Sequence, residues 1–208
     1  HKNILVVPKL VNIYKMRLII LIFFALISCT SDDSRMGDQM YSNKNYEEAI
    51  RLYTEGLKLR PNDIKSLYRR ARSFEELKIY DKAVSDFNKI LEIDKENVNA
   101  LLSLSVNSLR NKDYLSGESY SKKAIKLNPD LDQAHFLLGR SLQYQGLFND
   151  AMKSFKTSIS LNSNNSETYY HMGLIYLKLD DSNNACKNFK TSASLENGKA
   201  ISLSKKYN

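Results

Sequence analysis

Residues 132–161 read DQAHFLLGRSLQYQGLFNDAMKSFKTSISL, and the architecture of the chain follows from this stretch. Gly139 lies in one apolar-periodic segment, and Ala151 lies twelve residues later in the next. Phe155 and Ile159 follow Ala151 at intervals of four, which is the spacing of one helix face and not of a strand. A small residue on each helix allows close approach, and the ring fills the remaining space. The stretch therefore predicts two antiparallel helices packed through small residues and a ring.

The same pattern recurs at intervals of 34 residues. The small residue of the second helix falls at Ala49, Ala83, Gly117, Ala151 and Ala185. The small residue of the first helix falls at Gly37, Ala71, Ser105, Gly139 and Gly173. The ring falls at Tyr53, Phe87, Phe155 and Phe189, and the third repeat has Ser121 at this position. A fixed period of this length indicates stacked structural units.

Polar segments separate the apolar-periodic stretches, as expected for turns between helices. They include 60–63, 93–97, 128–130 and 162–165, where Pro, Asn and Asp end one helix and cap the next. The pattern predicts helices over 33–43, 46–59, 64–77, 80–93, 98–110, 114–127, 132–145, 148–161, 166–179 and 182–195.

These residues resemble the tetratricopeptide repeats in length, helix-turn-helix layout and the order of small and aromatic positions. The resemblance covers five repeats: 30–63, 64–97, 98–131, 132–165 and 166–199. It implies an all-α fold, a right-handed superhelical α-solenoid of about five repeats. Residues 200–208 are expected to form a short C-terminal capping segment, because Ile201 and Leu203 stand among Lys and Ser.

The amino-terminal part is expected to be a leader. The chain begins with His1, so we expect residues 1–15 to lie upstream of a native start at Met16. The apolar run 18–27 rises only about 15 Å as a helix, half of a bilayer core of roughly 30 Å. A secretory signal within residues 1–28 therefore fits better than a membrane span. A buried core helix is the alternative interpretation of this run.

The run ends in Leu26-Ile27-Ser28-Cys29, which resembles the lipobox of bacterial lipoproteins. That resemblance implies that the leader is cleaved before Cys29, that Cys29 is lipidated, and that residues 29–34 form a polar tether. Asp32-Asp33 resembles the surface-export signal of some bacterial lipoproteins, and an ordinary acidic helix start explains it equally well. The expected location is the bacterial cell envelope, lipid-anchored at the outer membrane and facing the periplasm or the surface.

Charge and composition argue against a nucleic-acid partner. A leader containing Lys2, Lys9, Lys15 and Arg17 would, on cleavage, lower the formal charge from +8 to +4. The remaining basic residues are interspersed with carboxylates. The one tight basic cluster is Lys65, Arg69, Arg70 and Arg72, which Glu75 and Glu76 follow, so a solvated face is the preferred interpretation.

The sequence offers no constellation for catalysis, a cofactor or a metal. His135 and His171 are the histidines after Cys29, and both fit packing or solvent positions. The sequence has no phosphate-binding glycine loop and no Gly-x-Ser-x-Gly elbow. Cys186 has no partner for a structural disulfide. We therefore expect neither an enzyme nor a cofactor or metal protein.

Two positions of each repeat are expected to face a concave groove, because in the resembling family first helices line the surface that binds extended peptides. The fifth position gives Tyr68, Leu102, Phe136 and Tyr170, and the ninth gives Arg72, Val106, Arg140 and Leu174. An exposed row of apolar side chains marks an interaction surface, in which rings anchor a partner and guanidinium groups hold carboxylates. The alternative is that these side chains pack against one another.

The predicted function is a non-enzymatic interaction scaffold, anchored to a membrane by lipid, that binds a protein or peptide in this groove. One alternative is an envelope or outer-membrane assembly factor that handles secreted chains. Others are a cytosolic scaffold whose leader is misread, and an enzyme or saccharide-binding module.

Overall fold

The structure is a computed structural model that describes residues 34–207. Within this range it contains eleven α-helices and no strand, which confirms the all-α prediction. The helices are α1 (34–42), α2 (Tyr46–Leu59), α3 (Ile64–Glu76), α4 (Tyr80–Ile93), α5 (Val98–Arg110), α6 (Tyr114–Leu127), α7 (Asp132–Tyr144), α8 (Phe148–Leu161), α9 (Ser166–Lys178), α10 (Ser182–Ser194) and α11 (Gly198–Lys206).

Every helix predicted from the period is present, with ends that differ by one residue at most. The predicted capping helix is α11. Its Ala200 is fully buried with Ala185 and Phe189 of α10, and Leu203 packs against the same cluster. The last hairpin therefore has its apolar face covered.

Contacts divide the chain into two compact parts, His1–Lys89 and Ile90–Asn208, which we call the N-terminal and C-terminal lobes. The N-terminal lobe has its core around Ala49, Leu52 and Phe87. In the C-terminal lobe one cluster surrounds Leu101 and Leu137, a second surrounds Phe155, and a third surrounds Phe189.

One backbone turn ends the first helix of every repeat. The turn residues Lys44, Lys78, Lys112, Gly146 and Asp180 have φ between 57° and 80° and lie 34 residues apart. In each turn the next residue donates its N–H to a carbonyl five residues earlier, as Ile79 does to Phe74 at 2.8 Å. This is the Schellman arrangement, which satisfies the last carbonyls of a helix.

Side-chain caps fix where the next helices begin. Asn45, Asn97, Asp113, Asn165 and Asp181 each accept the backbone N–H of the residue three places on, at 3.0–3.4 Å. Such bonds satisfy N–H groups that a helix start leaves unpaired. The two polar turn types therefore set the period of the fold.

Rings pack directly against glycines in three hairpins. A Cβ added to Gly139 would lie 2.5 Å from Cδ1 of Phe155, and one added to Gly173 would lie 2.6 Å from Cε1 of Phe189. Both rings are fully buried. The predicted small-to-ring packing is therefore confirmed at these hairpins, where the glycine makes space for the ring.

The third repeat packs by hydrogen bonds where its relatives use a ring. Oγ of Ser105 donates to the carbonyl of Gly117 at 3.1 Å and lies 2.8 Å from Oγ of Ser121. Ser105 has a single hydroxyl proton, so Ser121 donates to Ser105. Both serines are fully buried, and the bonds offset the cost of burying their hydroxyls.

Candidate functional site

Three neighbouring first helices, α5, α7 and α9, carry the predicted groove positions of the C-terminal lobe. The ring of Phe136 on α7 lies 5.7 Å from the imidazole of His171 on α9. Tyr170 lies 5.4 Å from the same imidazole, edge-on. The sequence-predicted rings Phe136 and Tyr170 are thus brought together on either side of His171. We call Phe136, Arg140, Tyr170, His171 and Leu174 the aromatic site.

Arg140 extends over this site. Its guanidinium carbon lies 5.6 Å from the centroid of Phe136 and 6.0 Å from that of Tyr144, so the cation covers two ring faces. Its Nε is buried and has no hydrogen-bond partner among the described residues. A buried donor without a partner costs free energy, which a ligand that accepts from it would recover. Arg140 is therefore arranged to receive an acceptor group.

His171 is held in place by a pair of hydrogen bonds with Gln143. Nδ1–H of His171 donates to Oε1 of Gln143 at 2.7 Å, and Nε2 of Gln143 donates to the His171 carbonyl at 3.4 Å. The imidazole is only 5% exposed. Burial, together with the positive charges of Arg140 and Lys199, lowers the pKa of His171 to about 3. His171 is therefore neutral at physiological pH and packs as an aromatic ring.

Two cations and one carboxylate surround the rings. Nζ of Lys199, on α11, lies 5.8 Å from the Tyr170 centroid. Glu167 lies 3.9 Å from Nε2 of His171 and accepts from Nδ2 of Asn197 at 3.1 Å. The site therefore combines aromatic surface with a positive balance of charge, which favours a ligand that is partly apolar and partly anionic.

The remaining predicted groove residues of this lobe differ in exposure. Val106 is half-buried, as are Tyr170 and Leu174. Leu102 is instead a core residue, 8% exposed, because it lies in the cluster of Leu101 and Leu137. Its prediction as a groove contact therefore needs correction, since it supports the face from below.

In the N-terminal lobe, Tyr68 and Arg72 occupy the equivalent repeat positions. The ring of Tyr68 lies 5.7 Å from that of Phe87 and is half-buried. Arg72 forms an ion pair with Glu75 three residues later in its own helix. Burial acts to lower the pKa of Arg72, but the charge of Glu75 outweighs it and raises that pKa above its ordinary value. Arg72 thus already has the carboxylate partner that Arg140 lacks.

Internal pairing also accounts for the basic cluster of α3. Arg70 is bidentate to the buried Asp86, at 2.7 and 2.8 Å, and Lys65 lies 2.6 Å from Asp38. Asp38 also accepts from the hydroxyl of Tyr53 at 2.7 Å. Burial acts to raise the pKa of Asp38, but Lys65 and Tyr53 together lower it below its ordinary value. These side chains stabilise helix packing.

Other predicted features fall partly outside the described residues. Cys29 and the run 18–27 lie there. Between residues 34 and 207, no helix combines the length and apolarity needed to cross a bilayer. In the same range no group of three His, Cys, Asp or Glu side chains is placed to hold a metal ion. Cys186 is half-buried and forms no disulfide within that range.

Sequence reasoning missed three contributors to the aromatic site: Gln143, Tyr144 and Lys199. A glutamine and a tyrosine at the end of a helix resemble ordinary surface residues, so nothing marked the first two. Lys199 joins because α11 folds back onto α10, which places a tail residue beside Tyr170.

Tetratricopeptide repeats are present in the chain. Family models described as tetratricopeptide repeat match residues 65–95, 132–165 and 166–198. The human tetratricopeptide repeat protein 12 is 33% identical over 96 residues, which are 46% of this chain and 14% of that protein. The Hsp70-Hsp90 organising protein of Plasmodium falciparum is 42% identical over 48 residues, which are 23% of this chain and 8% of that protein. The chain thus spans only a small part of the length of these relatives.

Solved structures show the same fold. MamA of Desulfovibrio magneticus RS-1 superposes with a TM-score of 0.75 at 20% identity, covering 81% of this chain and 95% of that one. YrrB, described as a TPR protein with an unusual peptide-binding site, superposes with a TM-score of 0.69 at 18% identity, covering 84% and 90%. The predicted tetratricopeptide fold is confirmed.

Proposed function

We propose that the protein is a non-enzymatic interaction module whose aromatic site binds an extended peptide segment carrying a carboxylate. The observation that carries this proposal is the buried Nε of Arg140, which has no partner among the described residues although its guanidinium lies over two rings. A carboxylate accepts two parallel hydrogen bonds from a guanidinium, and such charge-assisted bonds are stronger than neutral ones.

The rings supply the apolar part of the contact. Phe136, Tyr170 and Leu174 are half-buried, so each presents part of its surface to a partner. Aromatic and arginine side chains contribute most to the affinity of protein interfaces. The proposed ligand therefore pairs aliphatic or aromatic side chains with an acidic side chain or a terminal carboxylate.

Arginine, not the rings, is the informative residue to change. Phe136 also contacts the buried Phe155 at 6.1 Å, and Tyr170 contacts Phe189 at 6.1 Å. Alanine at either ring would lower the stability of the lobe together with any binding. Arg140 forms no ion pair within the described residues, so its replacement tests recognition with little structural cost.

We expect Arg140→Gln to weaken binding to carboxylate-bearing peptides by about tenfold or more, because it removes the charge that receives the carboxylate. A synthetic array of peptides that vary in acidic and apolar residues identifies the tightest ligand of the wild type. Fluorescence anisotropy then measures Kd for that ligand and for its amide analogue with both proteins.

Arg110→Gln serves as the matched control. Arg110 is exposed at the end of α5 and bonds Asn107, so it belongs to the same lobe but not to the aromatic site. Arg140→Lys keeps the charge and should retain part of the affinity. Equal binding by wild type and Arg140→Gln, or an equal loss in Arg110→Gln, would contradict the proposal.

We also propose that the module is attached to the bacterial envelope through lipid on Cys29. Support comes from Leu26-Ile27-Ser28-Cys29 placed after a basic residue and an apolar run. Each buried methylene contributes about 0.8 kcal/mol to membrane attachment, and two or more chains are needed for stable anchoring. An assembly factor for the outer membrane would share this address.

Mass spectrometry of the amino-terminal peptide tests the anchor in bacteria that express the chain with residues 1–28. The expected peptide begins at an acylated Cys29, and Cys29→Ala should abolish both the acyl mass and recovery in the membrane fraction. A peptide that begins at an unmodified Met16 would overturn the anchor and favour the cytosolic scaffold.

A further inference from the structure

Lysines recur at one position in three successive second helices of the C-terminal lobe. Lys122 on α6, Lys156 on α8 and Lys190 on α10 are 34 residues apart, and all three are exposed. Lys153 and Lys187 stand three residues before Lys156 and Lys190, which places them on the same helix faces. We call these five residues the lysine face.

The charge of the surrounding helices has one sign. Helices α6, α8, α10 and α11 contain ten lysines against two carboxylates, Glu118 and Asp150. Helices α2 and α4 of the N-terminal lobe contain four basic residues against six acidic ones. The positive excess is therefore a property of the second helices of the C-terminal lobe and not of the fold.

Internal pairing removes little of this charge. Glu118 holds Lys122 at 2.6 Å, and Asp150 holds Lys153 at 3.0 Å. The side chains of these two lysines remain 61% and 78% exposed. Helices α10 and α11 contain five lysines and no carboxylate. Pairs this exposed contribute little free energy, so they compete weakly with an external anion.

The chemistry of the face fits a lipid surface better than a nucleic acid. Helices α6, α8, α10 and α11 contain no arginine, the residue that reads phosphate and base edges in fixed geometry. None of their rings is exposed for stacking on bases. Hydrated lysines spread across several helices suit the diffuse potential of anionic headgroups. Ile201 of α11, 43% exposed, adds an apolar group four residues before Lys205.

We propose that the lysine face binds the anionic surface of a phospholipid bilayer. Each lysine near such a surface contributes a comparable increment to attraction, so the effect grows with their number. This contact would orient the C-terminal lobe on a membrane, and it requires neither the aromatic site nor a lipidated cysteine.

Sedimentation with vesicles tests the proposal on the full chain. Phosphatidylcholine vesicles with and without phosphatidylglycerol are compared at low and high salt. The wild type should partition onto the anionic vesicles and dissociate as salt rises. Lys156→Gln, Lys187→Gln and Lys190→Gln together should lower that partition about a hundredfold.

Two matched variants separate the face from net charge. Lys58→Gln, Lys82→Gln and Lys95→Gln together remove the same charge at exposed positions elsewhere and should leave partition near the wild-type value. Arginine at positions 156, 187 and 190 keeps the charge and should keep binding. Residues 1–33 are the same in every protein, so any contribution from them cancels in the comparison.

Three results would overturn the proposal. They are equal partition onto neutral and anionic vesicles, equal loss in the two glutamine triples, and tighter binding to duplex DNA than to anionic vesicles with the same dependence on positions 156, 187 and 190.

Discussion

Gly139→Val is expected to destabilise the C-terminal lobe by about 3 kcal/mol. A Cβ at this position would lie 2.5 Å from two ring carbons of Phe155, closer than side-chain atoms approach. Phe155 is fully buried, so its ring cannot turn away without displacing Met172 and Ile175 of the same cluster. Overpacking a filled core outweighs the small gain in helix propensity. Urea denaturation followed by circular dichroism at 222 nm gives the change in unfolding free energy.

Gly198→Val is the matched control, because no described atom lies within 4 Å of a Cβ at Gly198 and its φ is not positive. It should change stability little. Phe155→Leu, combined with Gly139→Val, should recover part of the loss, because the clash and the ring are coupled. Equal midpoints for Gly139→Val and Gly198→Val would refute the close glycine-to-ring contact.

Acidification is expected to destabilise the same lobe through His171. Burial, with Arg140 and Lys199 adding to it, lowers the pKa of His171 from 6.5 to about 3. Between these values the unfolded chain binds a proton that the folded protein does not, so stability present above pH 6.5 is lost as pH falls towards 3. The slope is about 1.4 kcal/mol per pH unit for one group. At pH 4.5 the loss reaches roughly 2–3 kcal/mol.

The repeats themselves supply the test variant. Leu137 occupies the position of His171 one repeat earlier, and Leu109 and Leu177 occupy the position of Gln143. The double change His171→Leu and Gln143→Leu should therefore pack well and flatten the pH dependence. Urea denaturation between pH 7 and pH 4.5 isolates this contribution from the carboxylates, which titrate in both proteins.

Gln143→Leu alone is the control, because it keeps the buried imidazole and should keep most of the slope. Parallel pH dependence in the wild type and the double variant would show that His171 does not titrate as its surroundings require.

The helices could be predicted from sequence because the same physical signals occur in every repeat. Gly139 and Phe155 define a close hairpin, and polar caps such as Asn97 and Asp113 mark helix starts. A single repeat would leave the ends uncertain, but a period fixes all of them at once. Two apolar residues in a polar tail are enough to predict the capping helix.

The candidate site could be predicted only in outline. Positions five and nine of each repeat place Phe136, Arg140 and Tyr170 on adjacent helices, but they do not separate Arg140 from Arg72. The difference lies three residues further on, where Glu75 pairs with Arg72 and neutral Gln143 instead bonds His171. Such pairing depends on which neighbours a side chain meets across helices, and one-dimensional spacing does not contain that information.

The turns with positive φ leave the chain well short of the stability that its backbone permits. Glycine occupies this conformation only at position 146 among the described residues, whereas Lys44, Lys78, Lys112, Asp180 and Glu196 occupy it with side chains. Each costs about 1 kcal/mol relative to glycine, so the five together are comparable with the net stability of a small domain. Repeat duplication preserved the path of the chain while these positions diverged in charge, and that tolerance gives evolution a reserve to draw upon.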